Sequence, residues 1–192
     1  MKGFVLIIVG YQGAGKSLLA KKIIEGVHPD RLRILDINNE YSEIGGVVAD
    51  DEGEPDFDTY SEMMIREKEV VFITEDATTI FPHRGYDKNL VRAIIKKRHS
   101  KNTYIFLFHS LRVVPRDVFE YADELWLLKT ADTEDSFDRF KGTGLLETFN
   151  EVQTLPEFEW SKQQPLPIRD KHYKVLQIKR GKLDKTVKAP QI

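Results

Sequence analysis

The chain has 192 residues, 41% hydrophobic and 31% charged, with a formal net charge of −2, the composition of an ordinary globular protein with ample material for one α/β core. The charge is uneven: residues 161–192 hold seven Lys and two Arg against two Asp, a net of +7, which leaves −9 on residues 1–160. An acidic body excludes a nucleic-acid binder defined by net charge, and the absence of cysteine excludes disulfides and thiolate metal sites. No apolar run approaches the ~20 residues of a membrane span.

The first strand is predicted at Phe4 to Val9, FVLIIV, a run too short for the apolar core of a signal peptide, so the expected location is the cytoplasm. It empties into GYQGAGKS, residues Gly10, Tyr11, Gln12, Gly13, Ala14, Gly15, Lys16 and Ser17, followed by Leu18. The spacing G-x-x-x-x-G-K-S between a buried strand and a helix is that of a phosphate-binding loop. Its glycines let successive N–H groups turn inward around a polyphosphate, and the helix that follows adds its positive dipole end. Lys16 is placed to reach the β and γ phosphates of a bound ATP, and Ser17 to hold Mg²⁺.

Arg33 to Ile37 reads as a second strand running into a polar stretch. The following DDEGEPDFD, residues 50–58, carries six carboxylates, but Gly53, Pro55 and like-charge repulsion make it a solvated loop with no assigned chemistry. Tyr60, Met63 and Met64 share one face of a short helix. The third strand, Val70 to Thr74, delivers Glu75 and Asp76 to its carboxyl end, the edge where open α/β sheets bind ligands.

A loop through residues 81–85 precedes a helix over about residues 88–99, apolar on one face and basic at its end. The fourth strand, Tyr104 to Phe108, ends on His109. Pro115 opens a short helix, the fifth strand covers residues 124–129, and Asp132 or Thr133 caps a further helix to Phe140. A Pro-rich run, 163–167, separates this from YKVLQIKRGKL, which reads as a strand or hairpin. Two units follow: an α/β domain over residues 1–160 and a basic C-terminal extension over 161–192. The alternation of buried strands and helices predicts a parallel sheet covered by helices on both faces.

Together these residues describe Mg²⁺-dependent nucleotide chemistry. Lys16 and the loop amides hold the phosphates, and Ser17 with one carboxylate, assigned as Glu75, holds the metal. The second carboxylate of the Glu75-Asp76 pair orients or deprotonates the attacking water, with the division between the two acids open, and His109 senses the γ-phosphate or contacts that water. None of the five histidines has zinc-ligand spacing.

Four stretches in this order, GYQGAGKS, ILDINNEYS, VVFITEDATTIFPHRG and IIKKRHSKNTYIFLFHSLRVVPRDVFEYADELWLLK, resemble the HerA/FtsK superfamily of ring-forming P-loop ATPases. Within it the likeness is to viral DNA-packaging ATPases and zonular-occludens-toxin-like proteins. The family's Asp-Glu pair falls on Glu75 and Asp76 with the two acids exchanged, and His109 stands where a Gln is usual. The family's arginine near the end of the preceding helix, which reaches ATP on a neighbouring subunit, falls on Arg98. The resemblance implies a RecA-like sheet of strand order 5-1-4-3-2, assembly as a homo-oligomer, a hexameric ring, and translocation or packaging of double-stranded DNA. It also implies a capsid or secretion partner and a place in the host cytoplasm or virion. Two other readings stand beside it. One is a small-molecule or nucleotide kinase, for which Arg112 and Arg116 are present without an obvious lid. The other is an ATP-dependent assembly or secretion module without translocation.

Overall fold

The computed structural model describes residues 3–81, 88–133, 136, 137, 140, 145–156, 173–179 and 182–184. Seven strands form one sheet: β1 (Phe4–Val9), β2 (Leu32–Leu35), β3 (Val71–Thr74), β4 (Thr103–Phe108), β5 (Glu124–Leu128), β6 (Tyr173–Lys179) and β7 (Lys182–Asp184), in the order β2-β3-β4-β1-β5-β6-β7. The helices are α1 (Lys16–Ile23), α2 (Phe57–Arg66), α3 (Lys88–Ile95), α4 (Lys97–Ser100), α5 (Arg116–Tyr121) and α6 (Leu145–Gln153).

The expected order 5-1-4-3-2 is present, all five strands parallel, but the sheet does not stop there. β6 lies antiparallel on β5, with Trp126 opposite Val175, and β7 returns along β6. The sheet is therefore mixed: the YKVLQIK segment covers an edge that β5 would otherwise expose. The Pro-rich run, the chain after residue 184, the loop at 82–85 and most of the helix expected before Phe140 fall outside the described residues.

Strands that read as unbroken apolar runs nevertheless sort by alternation onto two faces. Val5, Ile7 and Val9 join Phe72, Tyr104, Phe106 and Leu125 under α2, α3, α5 and α6. Leu6 and Ile8 join Ile34, Ile73, Ile105 and Trp126 under α1 and Tyr41. Aromatics fill the first layer: Phe72 stacks on Tyr104, and Phe81 meets Phe106 edge-on with ring centroids 5.3 Å apart.

The basic helix expected over residues 88–99 is two helices, α3 and α4, interrupted at Lys96. Lys97 accounts for the break. Its side chain turns inward to pair with Asp123 and to donate to the Tyr121 carbonyl, while Asp123 also accepts the N–H of Val5. A buried ammonium needs such partners. This clasp fixes α4 against the start of β1, where a Cβ on Gly3 would stand 1.9 Å from the Lys97 carbonyl oxygen.

Candidate nucleotide site

β4 lies between β1 and β3, so the carboxyl ends of the three strands bring the phosphate loop, Glu75-Asp76 and His109 together. The loop is anchored by its own amides: Gly10 N–H donates to Phe108, Tyr11 N–H to Lys129, and Ala14 N–H to Tyr11. Gly10 is required by a close approach, because a Cβ there would stand 2.9 Å from that of Leu128. Gly15, the N-cap of α1, adopts φ 92°, a conformation that favours glycine. The first-turn amides of α1 have no carbonyl partner within the helix and are the natural anion site.

A cleft of about 790 Å³ opens over this edge. Gln12, Gly13, Gly15, Lys16, Ser17 and Leu18 line one wall, and Glu75, Asp76 and His109 the other; Gly10, Tyr11 and Ala14 support the loop from beneath. The Lys16 ammonium is folded back on the loop, donating to the carbonyls of Gly10 (3.0 Å) and Tyr11 (3.1 Å) and lying 3.1 Å from His109 Nδ1. Burial lowers its pKa to about 8 against the opposing pull of Glu40, Asp76 and Glu75.

Ser17 Oγ donates to Glu75 Oε1 across 3.1 Å. The second oxygen of Glu75 accepts the Asn38 N–H at 3.2 Å. Burial, then the Asp36 carboxyl beside it and the charge of Glu40, raise the Glu75 pKa to about 7. Asp76 takes a left-handed backbone, φ 43°, at the end of β3, and its side chain accepts from the Thr78 hydroxyl. One of its oxygens is 3.8 Å from His109 Nε2. Burial, then the Lys16 charge, hold the His109 pKa below its ordinary value. Adjacent in sequence, the two acids face different partners: Glu75 meets the serine and Asp76 the histidine.

Arg98 is not in this cleft. It is exposed on α4, beside the start of β1 and β4, at the amino end of the sheet. Among the described residues, no arginine lines the cleft.

Sequence reasoning left the segment after β2 without a role, and it supplies the cleft's third side. The strand ends at Leu35 because Asp36 turns its carboxylate onto the N–H groups of Glu40 (2.9 Å) and Tyr41 (2.7 Å). That turn presents Asn38 and Glu40 to the cleft. Tyr41 is fully buried beside Ser17, its hydroxyl without a hydrogen-bond partner among the described residues, and Lys21 of α1 lies over its ring at 5.2 Å. The D-x-x-x-E-Y spacing was the available signal. The acidic loop at 50–58 is solvated as expected, with Asp56 capping α2 through the Thr59 N–H.

A parallel core of order β2-β3-β4-β1-β5, with a glycine-rich loop joining β1 to the helix that receives phosphate, is the fold of a P-loop NTPase. No protein-family model and no curated protein sequence matches the chain. Among solved structures it is similar to the genome packaging NTPase B204 from Sulfolobus turreted icosahedral virus 2 in complex with AMPPCP. That match has 17% identity over 96% of this chain and 98% of that one, with a TM-score of 0.69. It is similar to B204, the DNA-packaging ATPase from Sulfolobus turreted icosahedral virus, with 17% identity over 97% and 99% of the two chains and a TM-score of 0.67. The N-terminal domain of zonular occludens toxin from Neisseria meningitidis matches with 14% identity over 70% and 81%, TM-score 0.49. The viral packaging ATPases, one of the groups that the sequence resembles, thus share this fold along nearly the whole of both chains.

Proposed function

We propose that this chain is an Mg²⁺-dependent ATPase that works in a homo-oligomeric ring, a hexamer, as the motor core of double-stranded DNA translocation or packaging. The observation that carries the reading is the opposition of Lys16 and Ser17 to Glu75, Asp76 and His109 across one cleft at the carboxyl edge of the sheet.

The donors fit a hard cation shared with a nucleotide. Among the described residues, Ser17 and Glu75 offer oxygens 3.1 Å apart beside the buried Tyr41 phenol, whose hydroxyl has no hydrogen-bond partner, and no three His, Asp or Glu side chains form a closed cage. Mg²⁺ suits such an open site because it keeps water and phosphate oxygens as most of its ligands. Its chemistry there is neutralisation of phosphate charge.

The chain's own residues supply the rest. Lys16 leaves the carbonyls of Gly10 and Tyr11 and takes the β and γ phosphates, with the α1 amides around them. Asp76, on the side of the cleft away from Ser17, accepts the proton of the water that attacks the γ-phosphorus as the bond to the β-γ bridging oxygen breaks. His109, between Lys16 and Asp76, positions that water or the γ-phosphate. Arg98, at the amino end of the sheet and outside the cleft of its own chain, is the residue this reading assigns to the site of a neighbouring subunit.

Two observations support the DNA-motor reading over a kinase or a non-translocating module. The packaging ATPase matches this chain nearly end to end, and among the described residues the cleft holds no arginine, which leaves room for one supplied in trans. The test is steady-state ATP turnover with and without double-stranded DNA, with mass measured in solution alongside. Stimulation by DNA together with assembly is the expected result. A monomer whose turnover ignores DNA, or phosphoryl transfer to a metabolite, contradicts it.

A further inference from the structure

A second cleft, of about 310 Å³, opens at the amino end of the sheet, where the last turn of α2 meets α3 and α4. Met64, Ile65 and Ala93 give it an apolar lining, and Lys68, Arg92 and Lys96 stand at it with exposed side chains. Neighbouring cations are engaged: Arg31 and Lys101 with Glu69, and Arg33 with Glu67. Lys68, Arg92 and Lys96 have no ion-pair partner among the described residues. Ile65 at 45% and Ile95 at 49% exposure leave large aliphatic side chains in water on the same helices.

The complementary surface lies at the other end of α2. Residues 47 and 48 run parallel to β2 beside Ile34, which carries the chain past the carboxyl end of that strand into the acidic loop 50–58. No described cation pairs with Asp51, Glu52, Glu54 or Asp58, and Phe57, 39% exposed, stands among them at the start of α2. The acidic tip and the basic cleft are thus held about 15 Å apart by the rise of one ten-residue helix, so they cannot meet within a chain.

We propose that the cleft receives loop 50–58 of a second copy, with Phe57 on Met64, Ile65 and Ala93 and the loop carboxylates against Lys68, Arg92 and Lys96. This contact is head to tail, the heterologous type that forms a ring where the rotation between copies closes. It has the polarity that Arg98 needs, since Arg98 shares the amino end with the cleft and the phosphate loop shares the carboxyl end with the acidic tip. The interface rests on the oligomeric reading above and deepens it by naming the surfaces.

A charge swap read by sedimentation of the full chain with Mg²⁺ and ATP tests it. Lys68→Glu with Lys96→Glu makes both surfaces acidic, and Asp51→Lys, Glu52→Lys, Glu54→Lys and Asp58→Lys together, which keep the turn-closing Asp50 and the capping Asp56, make both basic. Each variant, shown folded by its melting curve, self-associates roughly tenfold or more weakly, and the two mixed together assemble again. Wild-type assembly by either variant, with Arg98→Ala still abolishing turnover, overturns the interface and spares the ring, whatever happens to DNA binding. Folded variants that stay apart when mixed overturn it too. A wild-type chain that stays monomeric overturns both.

Discussion

The Lys16 ammonium lies 3.1 Å from Nδ1 of His109, and an ammonium can only donate, so Nδ1 is the acceptor and the ring proton sits on Nε2, turned toward Asp76 at 3.8 Å. The histidine therefore links Lys16 to Asp76 across the cleft. His109→Ala should lower kcat by roughly 10²-fold while leaving the nucleotide Kd nearly unchanged. His109→Gln, which keeps a donor and an acceptor, should recover most of the loss. Single-turnover rates beside equilibrium binding separate the two effects; an equal fall in affinity would make His109 a binding residue instead.

Glu75 ties the site to pH. With its pKa raised from 4.5 to about 7, the folded chain holds more protons than the unfolded one between those values. Its contribution to stability is therefore present below about pH 4.5 and lost as pH rises toward 7. If Glu75 holds Mg²⁺ with ATP as proposed, binding would favour the carboxylate, so near pH 7 it should release a proton. Calorimetry in buffers of different ionisation enthalpy should show that release, and Glu75→Gln should abolish it and flatten the stability profile.

Lys97 sets the orientation of α4. With Lys97→Ala, Asp123 loses its cation and the Tyr121 carbonyl its donor, which should destabilise the fold by about 1–3 kcal/mol. Chemical denaturation measures that. Because Arg98 is the next residue, turnover of the assembled protein should also fall below what the stability loss explains, with nucleotide affinity unchanged.

The site was legible where chemistry follows from a local run. The phosphate loop needs contiguous residues in fixed order, and Glu75, Asp76 and His109 each terminate a strand whose apolar run ends abruptly. Asp36, Asn38 and Tyr41 were harder to read, because their roles come from a turn closed by the Asp36 side chain on two backbone amides, which no periodicity announces. The break at Lys96 was hidden for a similar reason: the partner that draws Lys97 inward, Asp123, is 26 residues away. The five-strand order was readable from the family pattern. The β6–β7 hairpin was readable only as an element, since its place on β5 depends on an edge the sequence does not mark.

In the proposed ring the phosphate loop is half of an active site, completed by Arg98 of the neighbouring subunit. Arg98→Ala should cost ~10³ to 10⁵ in turnover, and Lys16→Ala should abolish nucleotide binding. Equal mixing of these two inactive variants is the direct measurement. If Arg98 acts in trans, the mixture recovers roughly a quarter of wild-type turnover, because at random head-to-tail interfaces about one in four joins an intact loop to an intact arginine. A mixture as inactive as its parents, under conditions where both assemble, would contradict it.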